Sequence, residues 1–310
     1  TTTFCGANAG ALGGSKLQVA RLHVTGSPLG MQHKAAPALQ LETCDGCLPL
    51  PGPTQPTMNL QGALQSRLFP SGVRTITFGH PAHNSFPTHH LQALVAALDT
   101  AGDDDDTHAI LLQSMGERTF CAGANLDALL AIDNATAAKD FFMGFANLIL
   151  AMRRCPKPIV VAVQGKAIGG GVGIAAAADY CLATEAASVK LSELAIAIGP
   201  FVILPALVRK MGVAAATELS IDTEWHDAHW AQSKGLYQRL YATPSELTEA
   251  AQALTTKLAS FSLKASGELK ATLWHGTNHW PTLLEERAGV SGRLVLSEEA
   301  KAALSAFKTK

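Results

Sequence analysis

The sequence predicts an α/β fold in which short buried strands alternate with covering helices, closing in a stretch that is helical alone. Two kinds of pattern carry that prediction. The apolar runs AILL at 109–112 and IVVAV at 159–163 have the length of strands buried on both faces. Around them, Leu91, Leu94, Val95 and Leu98, then Phe141, Phe145, Leu148 and Met152, recur at helical spacing and each mark one face of a helix.

Taken in order, residues 1–68 are rich in Gly, Pro, Thr, Ala and Gln, carry LPLPGPTQPT at 48–57 and show no sustained apolar periodicity. They are expected to form a flexible extension without a packed core. GVRTITF at 72–78 alternates as a half-buried strand, and the stripe at 91–98 follows it as a helix. The aspartates at 103–106 read as a solvated loop before the strand at 109–112. The second helical stripe and the strand at 159–163 continue the alternation. After about residue 243 the amphipathic stretch 246–258 and the closing SEEAKAALSAFKTK predict a separate C-terminal helical lobe. The domains expected are therefore 1–68, 69–243 and 244–310.

Composition removes several function classes. With 24 basic against 25 acidic side chains in 310 residues, there is no electrostatic footprint for nucleic acid or an anionic membrane. No apolar run approaches the ~20 residues of a membrane helix. The six cysteines are scattered through a chain too large to be a disulfide scaffold, and CDGC at 44–47 lacks a second ligand pair at zinc spacing. The first 41 residues hold no Asp or Glu but do hold Lys16, Arg21 and Lys34, a balance that suits an organelle-targeting segment; mitochondrial location is the expectation, with cytoplasm as the alternative. A chain that opens at Thr1, with its first methionine at Met31, is equally a fragment or a processed end.

The chemistry-bearing residues sit in two glycine-containing turns and one acidic segment. In RTFCAGANLDAL at 118–129, Ala122, Gly123 and Ala124 have no bulk to shield their N–H groups. In GKAIGGGVGIAAAADY at 165–180, the N–H groups of residues 169–171 fall at the start of a helix, where free donors and the helix dipole favour an anion or a developing oxyanion. Close helix–sheet packing explains such glycines equally well. A dinucleotide fingerprint fails because position 174 is Ile174, and a phosphate loop fails because Gly165-Lys166 lacks the preceding glycine and the following Ser or Thr.

FCAGANL, then KPIVVAVQGKAIGGGVGIAAAADY, then KLSELAIAIGP resemble in order and spacing the motifs of the enoyl-CoA hydratase/isomerase (crotonase) family, and HPAHNSF at 80–86 resembles its first turn. The resemblance spans roughly residues 72–310. It implies a spiral of repeated ββα units with a C-terminal helical trimerisation region, assembled as a homotrimer or hexamer. It implies an acyl-CoA substrate, with coenzyme A as part of that substrate and neither a separate cofactor nor a metal. The oxyanion hole it implies is formed by the backbone N–H groups of Ala124 and Gly170, with Glu193 as the acid–base group. Substrate contacts fall on Asn84, Ser85, Phe86, Ala122, Asn125, Leu126, Gly171, Gly173, Pro200 and Phe201.

Two departures matter. Family hydratases use two glutamates, and the first of those positions is Gly173 here, leaving Glu193 alone in an apolar stretch that should raise its proton affinity. A lone carboxylate suits proton shuttling, as in a double-bond isomerase, more than water addition. Where hydratases carry a glycine-rich turn, this chain has GPFVILPAL at 199–207, so Phe201 and Val202 are expected to wall the acyl pocket. A CoA-thioester hydrolase or decarboxylase, and a non-catalytic acyl-CoA-binding subunit, stay open beside the isomerase or hydratase. His275 with His279, and His226 with His229, lack the carboxylate of a zinc helix and read as surface or packing residues. Trp225, Trp230, Trp274 and Trp280 read as packing residues of the helical lobe or of a subunit contact.

Overall fold

Strand and helix alternate from the first described residues onward. The computed structural model describes residues 62–308, so the readings of the extension at 1–61 and of CDGC lie outside the described residues. In chain order the elements are β1 (Ala63–Leu68), β2 (Val73–Gly79), α1 (Thr88–Asp103), β3 (Ala109–Ser114), β4 (Thr119–Cys121), α2 (Leu126–Leu130) and α3 (Ala135–Arg154). Then come β5 (Ile159–Val163), β6 (Lys166–Ile168), α4 (Gly170–Ala177), β7 (Tyr180–Thr184), β8 (Ser188–Lys190) and a 3-10 turn at Leu194–Ile196. The remainder is α5 (Leu204–Asp222), β9 (His226–Asp227), α6 (Ala228–Ser233), β10 (Arg239–Tyr241), α7 (Pro244–Ala259), α8 (Leu263–Leu273), α9 (Trp280–Val295) and α10 (Glu298–Lys308).

The strands form two sheets, one ordered β1-β2-β3-β5-β7-β10 and the other β4-β6-β8-β9. Within each of the pairs β3/β4, β5/β6 and β7/β8 the first strand enters the larger sheet and the second the smaller. Neighbours from β2 to β10 in the larger sheet are parallel, as are β4, β6 and β8. Each turn of the chain therefore adds a strand to both sheets and then a helix. This is the spiral of ββα units expected from the resemblance.

The apolar runs are continuous because both faces of the larger sheet are covered. Ile110, Leu112, Ile159, Val161 and Val163 face the main core, which holds Leu91, Leu94 and Leu98 of α1 and Phe141, Phe145, Leu148 and Met152 of α3. Leu111, Val160, Ala162 and Leu182 face the other way, onto Leu247 and Ala251 of α7. Fully burying one such side chain is worth about 1.5–3 kcal/mol. Helix α7 is thus a cover of the sheet and not an appendage.

That arrangement corrects two expected boundaries. The C-terminal helices are not a separate lobe: α7 lies on the sheet, and α9 packs along α3 through Trp280, Leu284, Ala288 and Val295. A methyl on Gly292 of α9 would stand 3.0 Å from the Lys139 backbone nitrogen, so the two helices touch at the backbone. At the other end, residues 63–68 belong to the sheet, since β1 pairs antiparallel with β2 from Ala63↔Gly79 to Leu68↔Arg74. Its sequence, ALQSRL, hid the strand because four of its six side chains are exposed at a sheet edge. The acidic run lies between α1 and β3 and is largely exposed, as expected, except that Asp103 closes α1 and Asp104 is fixed by Arg74 at 2.6 Å and by the Thr107 hydroxyl at 2.6 Å. Those donors hold the Asp104 carboxyl down at about 2.

Candidate functional site

Two backbone turns meet at one point. In the loop after β4, the Ala122 N–H donates to the His83 carbonyl at 3.1 Å, the Gly123 N–H to Cys121 Sγ at 3.3 Å and the Asn125 N–H to the Phe86 carbonyl at 3.1 Å. The Ala124 N–H remains, with no backbone acceptor among the described residues, and Ala124 lines a cleft of about 640 Å³. In the second turn the Gly169 N–H donates to the Lys190 carbonyl at 3.0 Å, while Val172 and Gly173 donate to the Gly169 carbonyl at 2.9 and 3.1 Å. At the first turn of α4 the Gly170 N–H is left over in the same sense, and Gly170 lines the same cleft.

Glycine is required for this meeting. Gly123 has φ +77°, and a methyl there would stand 2.8 Å from the Ile168 carbonyl oxygen and 3.1 Å from the Gly170 nitrogen. Gly169, the N-cap of α4, has φ +52° and ψ −115°, a region in which side chains are strained. Two N–H groups fixed by their neighbours, one at a helix start, can hold an oxygen on which negative charge develops.

Glu193 stands directly against the second turn. A methyl on Gly169 would lie 2.5 Å from its Oε1. Its Oε2 is buried with no hydrogen-bond partner among the described residues. Burial pushes the carboxyl up to about 7, against the opposing pull of the Glu193 and Ser192 backbone N–H groups. A group half ionised near neutral pH can both take and return a proton. Asp127 also lines the cleft, but it is solvent-exposed on the first turn of α2.

The cleft walls come from four parts of the chain. Phe142 and Phe145 of α3 form one side, and Phe201, Val202 and Ile203 ahead of α5 form another. Ser291 of α9 and Leu304 of α10 also reach it. At the rim, Arg118 and Lys166 are exposed, and Trp225 lies with its ring 5.0 Å from Lys166 Nζ and 5.8 Å from Lys190 Nζ.

Of the residues singled out in the sequence, Ala124, Gly170, Glu193, Ser85, Ala122, Asn125, Leu126, Pro200 and Phe201 all line this cleft. Four others lie behind its wall. Asn84, at φ +56°, donates through Nδ2 to the Met115 and Thr119 carbonyls at 2.7 and 2.8 Å and so ties the first turn to the strands. Phe86 is fully buried, and its backbone brackets Ala124 by donating to the Gly123 carbonyl and accepting from Asn125. Gly171 packs on Cys121, and Gly173 faces Ile203. Asn125 combines contact with support: its Nδ2 donates to Ser85 Oγ at 3.0 Å and its Oδ1 caps α2.

Other readings resolve as packing. His226 lies 2.9 Å from Asp222 and stacks on Trp230, with ring centroids 4.0 Å apart. Trp274 and Trp280 meet edge to face in the core, whereas Trp225 belongs to the cleft rim and not to a packed helix. Phe145 was legible only as a helical core residue, Ile203 only as part of the stretch 199–207 and Leu304 only as part of the closing helix, and Phe142 and Ser291 carried no local signal. Among the described residues no helix is long and apolar enough to cross a membrane.

Comparison with known proteins gives the family and the fold. The family described as Enoyl-CoA hydratase/isomerase matches residues 69–310. A probable enoyl-CoA hydratase of Rhizobium meliloti is 30% identical over 249 residues, covering 77% of this chain and 92% of that protein. The (7aS)-7a-methyl-1,5-dioxo-2,3,5,6,7,7a-hexahydro-1H-indene-carboxyl-CoA hydrolase of Rhodococcus jostii is 35% identical over 122 residues, which is 39% of this chain and about half (47%) of the hydrolase. The crystal structure of an enoyl-CoA hydratase from Mycobacterium avium superposes with a TM-score of 0.69 at 26% identity, covering 81% of this chain and 97% of that one.

Proposed function

The chain belongs to the enoyl-CoA hydratase/isomerase family, and from that premise we propose that it is an acyl-CoA isomerase working through a single carboxylate, Glu193. The observation that carries this reading is the buried Glu193 carboxyl beside two otherwise unengaged N–H groups, with glycine at 173 where a second acid would stand. Ionised Glu193 takes a proton from C2 of a 3-enoyl thioester, and the electron pair of that C–H bond passes to the thioester oxygen. The Ala124 and Gly170 N–H groups hold that oxygen, and one such donor is typically worth ~10²–10³ in rate. The same carboxyl then returns the proton to C4, leaving the double bond between C2 and C3. Atoms balance without water, and coenzyme A is part of the substrate, so no separate cofactor enters. The walls of Phe142, Phe145, Phe201 and Val202 favour an apolar acyl group, and a homotrimer or hexamer is the proposed assembly.

The test is a panel of 2-enoyl-, 3-enoyl-, 3-hydroxyacyl- and malonyl-CoA esters, read by chromatography of the products. Conversion of the 3-enoyl to the conjugated 2-enoyl ester is expected to be the fastest reaction. Faster water addition to the 2-enoyl ester, or release of free coenzyme A, would replace this reading with hydratase or hydrolase chemistry.

A further inference from the structure

Position 173 is not simply lacking a carboxylate. Gly169, the N-cap of α4, and Gly173 lie four residues apart and are joined by the Gly173 N–H donating to the Gly169 carbonyl at 3.1 Å. The face of Gly169 meets the Glu193 carboxyl, and the face of Gly173 meets Ile203. A methyl at 173 would lie 2.6 Å from Ile203 Cγ2 and 3.0 Å from its Cβ, so the side-chain place at 173 is already filled, and Ile203 lines the same cleft as Glu193. Ile203 is held there. It is 4% exposed, it is the N-cap of α5, and its carbonyl accepts from the Ala206 and Leu207 N–H groups at 3.1 and 3.2 Å.

The surroundings of that volume are apolar. Val202 and Ile198 are buried beside it in the cleft wall, and a buried water needs two to four polar partners. With the Ala124 and Gly170 N–H groups engaged by the thioester oxygen, Glu193 Oε2, buried without a partner, is what such a water would be left to bond. We infer that Ile203 determines reaction specificity, by filling the side-chain place at 173 and denying water a position next to Glu193. This inference rests on the proposed role of Glu193 and adds the reason the proton stays with the substrate. With water shut out, the proton taken from C2 has one destination, C4. With a bound water present it would exchange with solvent, and the oxygen of that water could bond to C3 of a 2-enoyl ester while a proton is delivered to C2.

Two measurements on wild type, Ile203→Ala and Ile203→Val test this, with Gly173→Glu made in the wild-type and Ile203→Ala backgrounds. The first is the ratio of hydration of a 2-enoyl-CoA to isomerisation of the 3-enoyl ester. The second is retention of deuterium carried from C2 to C4. Wild type should keep much of the label. Ile203→Ala should lose most of it to solvent and raise the hydration ratio roughly tenfold, short of the ~10²–10⁴ that a placed general acid or base contributes, with Ile203→Val between them. Gly173→Glu alone should give no gain in hydration, because the new side chain meets Ile203, whereas the double variant should exceed Ile203→Ala. A folded Ile203→Ala that keeps the wild-type ratio and label retention would overturn the role of Ile203; should it not fold, the same two readings on Ile203→Val decide. Wild-type protein that neither isomerises nor exchanges the C2 proton would instead overturn the Glu193 reading on which this one stands.

Discussion

Replacing Glu193 with glutamine separates the chemistry of the site from its stability, and the two effects can be worked out beforehand. The wild-type carboxyl ionises at about 7 in the fold against an ordinary 4.5, because burial disfavours its charge. The folded protein therefore holds a proton that the unfolded chain has released between those values. Stability is complete below about pH 4.5 and falls as pH rises through about 7, by up to about 3 kcal/mol at 1.36 kcal/mol per pH unit. Glutamine does not titrate and loses none of this. It does bring an amide donor to the place where Oε2 has no partner, which costs roughly 1–3 kcal/mol. The variant should therefore melt below wild type at pH 5 and draw level with it or pass it by pH 9. At 2–4 °C per kcal/mol for a chain of this size, the relative movement is about 6–12 °C. Activity moves independently: turnover should fall by ~10²–10⁴, and acyl-CoA affinity by calorimetry should stay near wild type. The wild-type kcat/KM should rise with pH to a plateau with a midpoint near 7, and that limb should vanish from any residual activity of the variant. Melting curves that stay parallel across pH 5–9, or full turnover in Glu193→Gln, would refute both the burial and the role assigned to this carboxyl.

Gly123→Ala should strain a φ of +77° and push a methyl against the Ile168 carbonyl and the Gly170 nitrogen; kcat is expected to fall by ~10²–10³, the worth of one oxyanion donor, with a smaller change in KM in steady-state assays. A chain starting at Gly62 retains β1 and should melt and bind acyl-CoA as the full chain does, whereas one starting at Phe69 exposes the β2 edge and should melt lower or aggregate, as scanning calorimetry and light scattering would report.

How much of this was legible in the sequence depended on the range over which each signal acts. Strands β3 and β5 announced themselves because both their faces are covered, and α1 and α3 because a single buried stripe repeats at helical spacing. Edge strand β1 did not, since an edge strand with mostly exposed side chains has no apolar pattern to display. The two glycine-containing turns were readable because close backbone approach demands small residues, and the resemblance of their motifs to the enoyl-CoA hydratase/isomerase family then pointed to Ala124, Gly170 and Glu193. The sequence by itself thus determined the strand–helix alternation and the residues available to the candidate site. Only the tertiary structure decided how they act. It laid α7 on the sheet and α9 along α3 instead of in a lobe apart, drew Phe142, Ser291 and Leu304 from distant helices to one cleft, and set Ile203 against Gly173. Those outcomes turn on which apolar surfaces find each other, and burial is a non-directional force that leaves no local signature in either partner.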